Sequence, residues 1–305
     1  MRRSTLWLAA LAVDVVAGEP PVPIHPVVVC GRLIAAFESA HQPDPTRPGR
    51  NLWHGVLLVA VPVGLAAILG RLVERLRPAW LRFALTVWLL KSSFALKALL
   101  RAGDRTEHAL AHRGPSAARA ELRALVSRPV DDLDDSHVMS AIVESLAENV
   151  SDSYVAPLWW FALGGLPAAL AYRVVNTADA MVGYHGAYEQ LGKAAARLDD
   201  LVNVVPARLA AASLVVAAPC CGQDARRAWR VGRRDHGLTE SPNAGWPMAT
   251  AAGALGVWLE KPATYRLGEG GRSPALGDGA AARRLALAAA VLATTAFVVL
   301  DRRRG

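Results

Sequence analysis

Cysteine is scarce in this chain: Cys30, Cys220 and Cys221 are all that 305 residues contain. They form neither a C-x-x-C pair nor a zinc-binding spacing, which excludes a disulfide framework and a structural zinc site and leaves them as small buried residues. Several familiar loops are missing too. There is no G-x-x-x-x-G-K-[ST], no G-x-G-x-x-G, no H-E-x-x-H and no G-x-S-x-G, so the common phosphate, dinucleotide, zinc-protease and hydrolase sites are excluded. Any use of ATP must therefore run through a site of another kind. No basic patch is interleaved with stacking aromatics, so nucleic acid is not an expected partner. No repeat of 20–50 residues is present, which argues against the paired halves of a transporter.

Charge is low as well, at 20% of residues, while 53% are apolar. That balance describes an integral membrane protein, and the net charge of +8 is spread through short loops in the manner of one. Residues 4–17 follow Arg2 and Arg3 and end in Val15-Val16-Ala17, like a signal peptide. Asp14 interrupts that apolar run and further membrane-grade segments follow, so the stretch reads as a retained helix. G-E-P-P-V-P-I-H-P-V then reads as an extended, proline-fixed surface loop, and residues 35–53 as a polar loop. Residues 54–70 make a minimal membrane span. Residues 83–100 are apolar but carry Lys91 and Lys97, which either snorkel or lie against protein.

From about 101 to 153 the chain turns soluble, with two amphipathic helices broken at Gly114-Pro115 and capping oxygens at Asp134 to Ser136 ahead of a third. Apolar segments return at 154–175, interrupted by Gly164-Gly165 and Pro167, and at 204–221 and 285–300. The first of these is long enough to span or to form a re-entrant hairpin. The expectation is an all-α, polytopic membrane protein, one catalytic domain over 1–305. Its polar face is built from the soluble helical insertion and from inter-helix loops. The basic connection at 71–82, the arginine-rich tail and the soluble region all ask for the cytoplasmic side, which requires at least one re-entrant or interfacial segment.

Chemistry concentrates in four places. Glu144, Glu148 and Asp152 follow one another at helical spacing, with Asn149 inside the row. Carboxylates with open positions are what Mg²⁺ takes beside substrate phosphates. Arg173, Asn176 and Asp179 make a polar stripe at the end of a membrane-grade segment, where such groups pair or line a wet cavity. Arg197, Asp199, Asp200 and Asn203 form a second stripe. Ser241, Asn243 and Gly245 lie in S-P-N-A-G-W, a turn whose exposed N–H groups suit an anion.

Taken together and in this order, G-E-P-P-V-P-I-H-P-V, V-E-S-L-A-E-N-V-S-D-S-Y-V-A-P-L-W, A-Y-R-V-V-N-T-A-D-A-M-V-G-Y, R-L-D-D-L-V-N-V-V-P-A-R-L and S-P-N-A-G-W-P resemble the adenosylcobinamide-phosphate synthase family of cobalamin biosynthesis, the CobD/CbiB family. The resemblance covers about residues 14–258. It departs from the family pattern at Glu19, usually Asp, at Pro129, usually acidic but here followed by Asp131 and Asp132, and at Glu240.

The resemblance implies an enzyme of the cell (inner or plasma) membrane, its active site facing the cytoplasm. It would join adenosylcobyric acid to aminopropanol or its O-phosphate, with ATP consumed and Mg²⁺ on the ATP phosphates. Cobalt belongs to the corrinoid substrate, and no protein-bound metal centre is expected. On this reading Glu144, Glu148 and Asp152 hold Mg²⁺ or deprotonate the amine, and Arg173 and Arg197 balance phosphate charge. Asn149, Asn176, Asp179, Asp199, Asp200 and Asn203 orient metal and substrate, while Ser241, Asn243 and Gly245 cradle a phosphate. Membrane lipid and other membrane-associated corrinoid enzymes are the expected partners. A transporter and a non-catalytic scaffold for corrinoid enzymes are the rival classes; only an enzyme or a transporter needs the charged stripes.

Overall fold

Proline and glycine punctuate the chain into helices. The computed structural model, which describes residues 1–184 and 186–303, contains α1 (Arg3–Ala17), α2 (Pro26–Ala40), α3 (Pro48–Glu74), α4 (Ala79–Lys91), α5 (Leu96–Arg113) and α6 (Pro115–Leu122). There follow α7 (Asp135–Val150), α8 (Ala156–Val182), α9 (Glu189–Ala217), α10 (Ala225–Asp235) and α11 (Gly245–Leu255). A short antiparallel hairpin, β1 (Leu259–Lys261) with β2 (Tyr265–Leu267), precedes α12 (Asp278–Arg303). The all-α expectation holds. Among the described residues five stretches are long and apolar enough to cross a membrane: Pro48–Glu74, Ala79–Arg113, Asp135–Val182, Glu189–Ala217 and Asp278–Arg303.

Three sequence readings need correction. The proline-fixed loop is shorter than its prolines suggest, because α2 starts at Pro26, a residue that suits the first helical position, where no N–H is needed. His25 caps that helix, its Nδ1 accepting from the Val27 N–H at 3.2 Å. Most of residues 35–53 are helical for the same reason: α2 runs to Ala40 and α3 opens on Pro48. The apolar run 83–100 is likewise divided, with α4 ending at Lys91 and α5 beginning at Leu96.

The helices group into two compact units. One comprises Met1–Ala95, Ala156–Asn203 and the chain from Phe297 on; the other comprises Leu96–Val155 and Val204–Ala296. In the first unit Trp7 is fully buried among Phe94, Phe161 and Phe297, with ring centroids 4.7–6.4 Å apart. A second apolar cluster joins Ile34, Leu58, Val59, Val175 and Val182. Helix α8 is broken inside this unit at Gly165, whose φ of 70° belongs to the left-handed region. The freed backbone groups find side chains. The Leu166 N–H donates to Glu74 Oε1 at 2.9 Å, and Arg3 donates to the Ala162 carbonyl at 2.6 Å.

Close approach of α3 to α8 depends on Gly70. A Cβ there would stand 2.6–2.7 Å from Pro167 backbone atoms. Gly70→Val is expected to lower stability by about 1–3 kcal/mol through overpacking, seen as an earlier thermal transition of the detergent-purified protein.

In the second unit Leu99, Leu110, Leu122, Val138, Ile142, Leu146, Met248, Leu259 and Leu267 form one core. Asp134 opens α7 by accepting from the His137 N–H at 2.9 Å, as its position before the apolar run suggests. A hydrogen bond from Ser136, with the cap itself, holds the Asp134 carboxyl down at about 2.

Candidate active site

Four segments of the second unit line a polar cavity of about 270 Å³. Helix α7 contributes Glu144 and Glu148 one turn apart, the loop after α6 contributes Ser127 and Arg128, and the hairpin contributes Lys261, Thr264 and Tyr265. The turn before α11 adds Thr239, Glu240 and Ser241. Leu259 and Leu267, paired across the hairpin, are buried in the core and anchor the strands that carry Lys261 and Tyr265.

Glu144 is the most heavily engaged group here. Its carboxylate accepts from Arg128 Nη1 at 3.0 Å and Nη2 at 3.4 Å, from Ser140 Oγ at 2.6 Å and from the Tyr265 hydroxyl at 2.8 Å. Ser140 in turn accepts from the Glu260 N–H at 2.7 Å. With its lone-pair directions taken up, Glu144 is suited to hold Arg128 and Tyr265 in place rather than to ligate or take a proton. Burial, and then the charge of Glu144, push the Tyr265 phenol well above its ordinary value, so it stays a protonated donor. The guanidinium of Arg128 keeps a buried Nε with no hydrogen-bond partner among the described residues.

Asp152 and Asn149 are placed differently from Glu144. Asp152 follows α7 in a π-helical turn, Ser151–Val155, which takes it off the regular helical spacing of Glu144 and Glu148. Asn149 bonds to its chain neighbours, donating to the Ser145 carbonyl of α7 at 2.9 Å and accepting from Ser153 Oγ of the π-helical turn at 2.8 Å. No cluster of three His, Cys, Asp or Glu residues in a metal-binding arrangement occurs among the described residues. Of the S-P-N-A-G-W residues, Ser241 and Ala244 line the cavity. Asn243 is buried and accepts from Arg208 Nη1 at 2.9 Å, while Gly245 starts α11.

The first unit holds a separate polar network between α8 and α9. Arg173 Nη1 donates to Asn176 Oδ1 at 3.1 Å, and Asn176 Nδ2 reaches Asp199 at 3.4 Å. Asn203 Nδ2 donates to Asp199 at 2.9 Å, and Asn203 Oδ1 accepts from the Tyr172 hydroxyl at 2.9 Å. Thus two of the sequence stripes meet through Arg173, Asn176, Asp199 and Asn203. Arg173 also borders an apolar groove of about 180 Å³ with Cys30 and Thr177. Arg197 is exposed and makes no ion pair among the described residues, and Asp179 and Asp200 are half-buried.

Sequence reasoning missed Arg128, Lys261, Thr264 and Tyr265, which sit in a loop and a hairpin with no periodicity to mark them. It also missed a buried charge cluster in the first unit. Lys91 does not snorkel: it is 1% exposed, with Nζ 3.1 Å from Asp14 and 2.8 Å from Glu19. Glu19 meets His25 at 3.0 Å on its other oxygen. Burial pushes the Glu19 carboxyl up, but hydrogen bonds from His25 and Lys91 outweigh it and hold the group below its ordinary value. The available signal was one acid and one base, each interrupting an otherwise apolar helix.

Comparison with known proteins adds the following. A family model described as CobD/Cbib protein matches residues 7–294. Cobalamin biosynthesis protein CobD of Dehalococcoides mccartyi is 42% identical over 87% of this chain and 86% of its own length. A probable cobalamin biosynthesis protein CobD of Pyrococcus furiosus is 39% identical over 84% and 85%. Cobalamin biosynthesis protein CbiB of Salmonella arizonae is 37% identical over 89% and 86%. No solved structure matches the chain.

Proposed function

Because the chain belongs to the CobD/CbiB family of cobalamin biosynthesis, we propose that it is the membrane enzyme that joins adenosylcobyric acid to (R)-1-aminopropan-2-ol O-phosphate or to aminopropanol, driven by ATP. The observation that carries this reading is the polar cavity, where Arg128, Lys261 and Glu148 stand among six hydroxyl-bearing residues, Ser127, Ser145, Thr239, Ser241, Thr264 and Tyr265. Cations beside hydroxyl donors are what a transferring phosphoryl group requires. The cavity is far smaller than a corrin, so only the reacting propionate arm and the phosphates would enter it.

A free carboxylate and an ammonium do not condense in water. The propionate would first take the γ-phosphoryl group as an acyl phosphate, releasing ADP, and the deprotonated amine would then displace phosphate. Lys261 and Arg128 would balance the phosphate charge, the buried Nε of Arg128 being a donor still to be satisfied. Glu148 would accept the ammonium proton or meet the metal. Mg²⁺ usually binds through one or two carboxylates plus substrate phosphates, and Glu148 and Glu240, the cavity-wall carboxylates other than the engaged Glu144, fit an ion that arrives with ATP. When bound it would supply neutralising charge on those phosphates. Glu144 would fix Arg128 and Tyr265. Arg173, Asn176, Asp199 and Asn203 are proposed to bind polar groups of the substrates. Since ATP is a cytoplasmic nucleotide, the cavity is proposed to face the cytoplasm.

The test uses the full chain purified in detergent with adenosylcobyric acid, Mg·ATP and either aminopropanol phosphate or the free alcohol, with mass spectrometry for the amide. Amide with one amine and not the other would establish both the reaction and the substrate. No amide with either, from folded protein that binds the corrinoid, would overturn the proposal in favour of a scaffold.

A further inference from the structure

Helix α10 has two unlike faces. Ala228, Val231, Gly232 and Asp235 are buried, and small residues bring the helix close against α11. A Cβ on Gly253 would stand 2.6 Å from the Arg227 carbonyl, and one on Gly232 2.5 Å from Thr250 Oγ1. Half a helical turn away, Arg226, Trp229, Arg230 and Arg233 all lie exposed. Trp229 is 52% exposed, with the Arg233 guanidinium 5.7 Å above its ring.

The remaining arginines of this helix are occupied. Arg227 donates to the Gly253 carbonyl at 2.7 Å, and Arg234 is paired with Asp235. Arg226, Arg230 and Arg233 form no ion pair among the described residues. Three cations without an ion pair of their own thus stand around one exposed indole, the charge of Arg230 reaching only the Asp224 carboxyl at the start of the helix. The indole prefers the membrane–water boundary, and arginine there meets phosphate.

Connectivity sets the level of this face. The membrane-grade stretch Glu189–Ala217 ends seven residues before α10 begins. The connection doubles back on itself, with the Gln223 N–H donating to the Ala218 carbonyl at 2.8 Å and a 3₁₀ turn at Pro219–Cys221. Asp224 then caps α10 by accepting from the Arg227 N–H at 2.9 Å. The basic face is thereby tethered within a short reach of the end of a membrane span.

We propose that the outer face of α10 binds anionic phospholipid headgroups, with Trp229 seated at the headgroup boundary and Arg226, Arg230 and Arg233 on lipid phosphates. This face would hold its own unit on the anionic leaflet. The proposal does not depend on the ligation chemistry, and its test reads no activity.

The full chain is reconstituted in phosphatidylcholine nanodiscs containing either brominated phosphatidylglycerol or brominated phosphatidylcholine. The fluorescence quenching due to Trp229 is obtained by difference from Trp229→Phe. Brominated phosphatidylglycerol is expected to quench Trp229 at least about twofold more than brominated phosphatidylcholine. The excess should vanish in Arg226→Gln/Arg230→Gln/Arg233→Gln. In the unmodified protein it should also vanish when salt is raised to about 0.5 M, which tests the same point without relying on the folding of the variant. A Trp229 signal that no brominated lipid quenches would overturn the proposal. So would an excess that survives both treatments, or equal quenching by the two lipids accompanied by arginine-dependent binding of a short DNA duplex.

Discussion

Glu148→Gln is expected to reduce amide formation by at least about a hundredfold while the protein still inserts and purifies as before. The substitution keeps the shape of the side chain and removes its charge and basicity. Glu148 lines the cavity with Arg128, Lys261 and Tyr265, one turn beyond Glu144. If it takes the ammonium proton, the loss in the glutamine variant shrinks as pH rises toward the pKa of the amine, where solution supplies free amine, and added metal does not restore turnover. If it holds Mg²⁺, the loss is partly recovered at higher metal concentration, which separates the two roles. Glu144→Gln is the informative companion. That carboxylate is engaged by Arg128, Ser140 and Tyr265, so its loss should lower stability as well as activity. Unimpaired turnover in Glu148→Gln, measured by mass spectrometry of the amide, would remove Glu148 from the mechanism.

Lys91→Met should be among the most destabilising single changes in the chain, by about 3–5 kcal/mol, because it leaves the buried Asp14 without its cation. Asp14 and Lys91 are each 1% exposed. The ammonium also donates to the Phe94 carbonyl at 3.2 Å and lies 5.5 Å from the Phe94 ring centroid. Restoring charge balance should rescue much of the loss, so Lys91→Met/Asp14→Asn is expected to melt well above Lys91→Met alone in detergent. Acid provides a second check. Glu19 is held below its ordinary value, so its pairing contributes fully above about 4.5. That contribution fades as pH falls through the lower folded value, and the gap between wild type and Lys91→Met should narrow there. A gap that widens instead would show that the carboxylates are not what Lys91 serves.

How much of this was legible in the sequence follows from range. The all-α class, the break at Gly164-Gly165 and Pro167 and the Asp134 cap were readable because each is set by neighbours a few residues away. The meeting of Arg173 and Asn176 with Asp199 and Asn203 was only half readable: the stripes show as helical spacing, but their pairing across α8 and α9 does not. Asp152 was placed in a row with Glu144 and Glu148 because a regular period was assumed, and nothing in Ser151–Val155 announces a π-helical turn. The hairpin escaped for a different reason. Its strands have three residues each, too few for an alternating pattern, so Lys261 and Tyr265 carried no mark. Arg128 lay in the loop ahead of α7, where no periodicity marks a residue as functional. Lys91 and Asp14 were visible as misfits, but pairing two misfits distant in sequence requires the fold.

The broken helix α8 also bears on how the chain is made. Its interruption at Gly165 leaves a donor at Leu166 and an acceptor at Ala162, and these are met by Glu74 at the end of α3 and Arg3 at the start of α1. Open backbone groups are tolerated at membrane depth only when protein satisfies them. Both partners precede α8 in the chain and leave the ribosome first. Synthesis from the N-terminus therefore delivers the two charged side chains before the segment that needs them, and α8 can enter the bilayer against a receptor already in place.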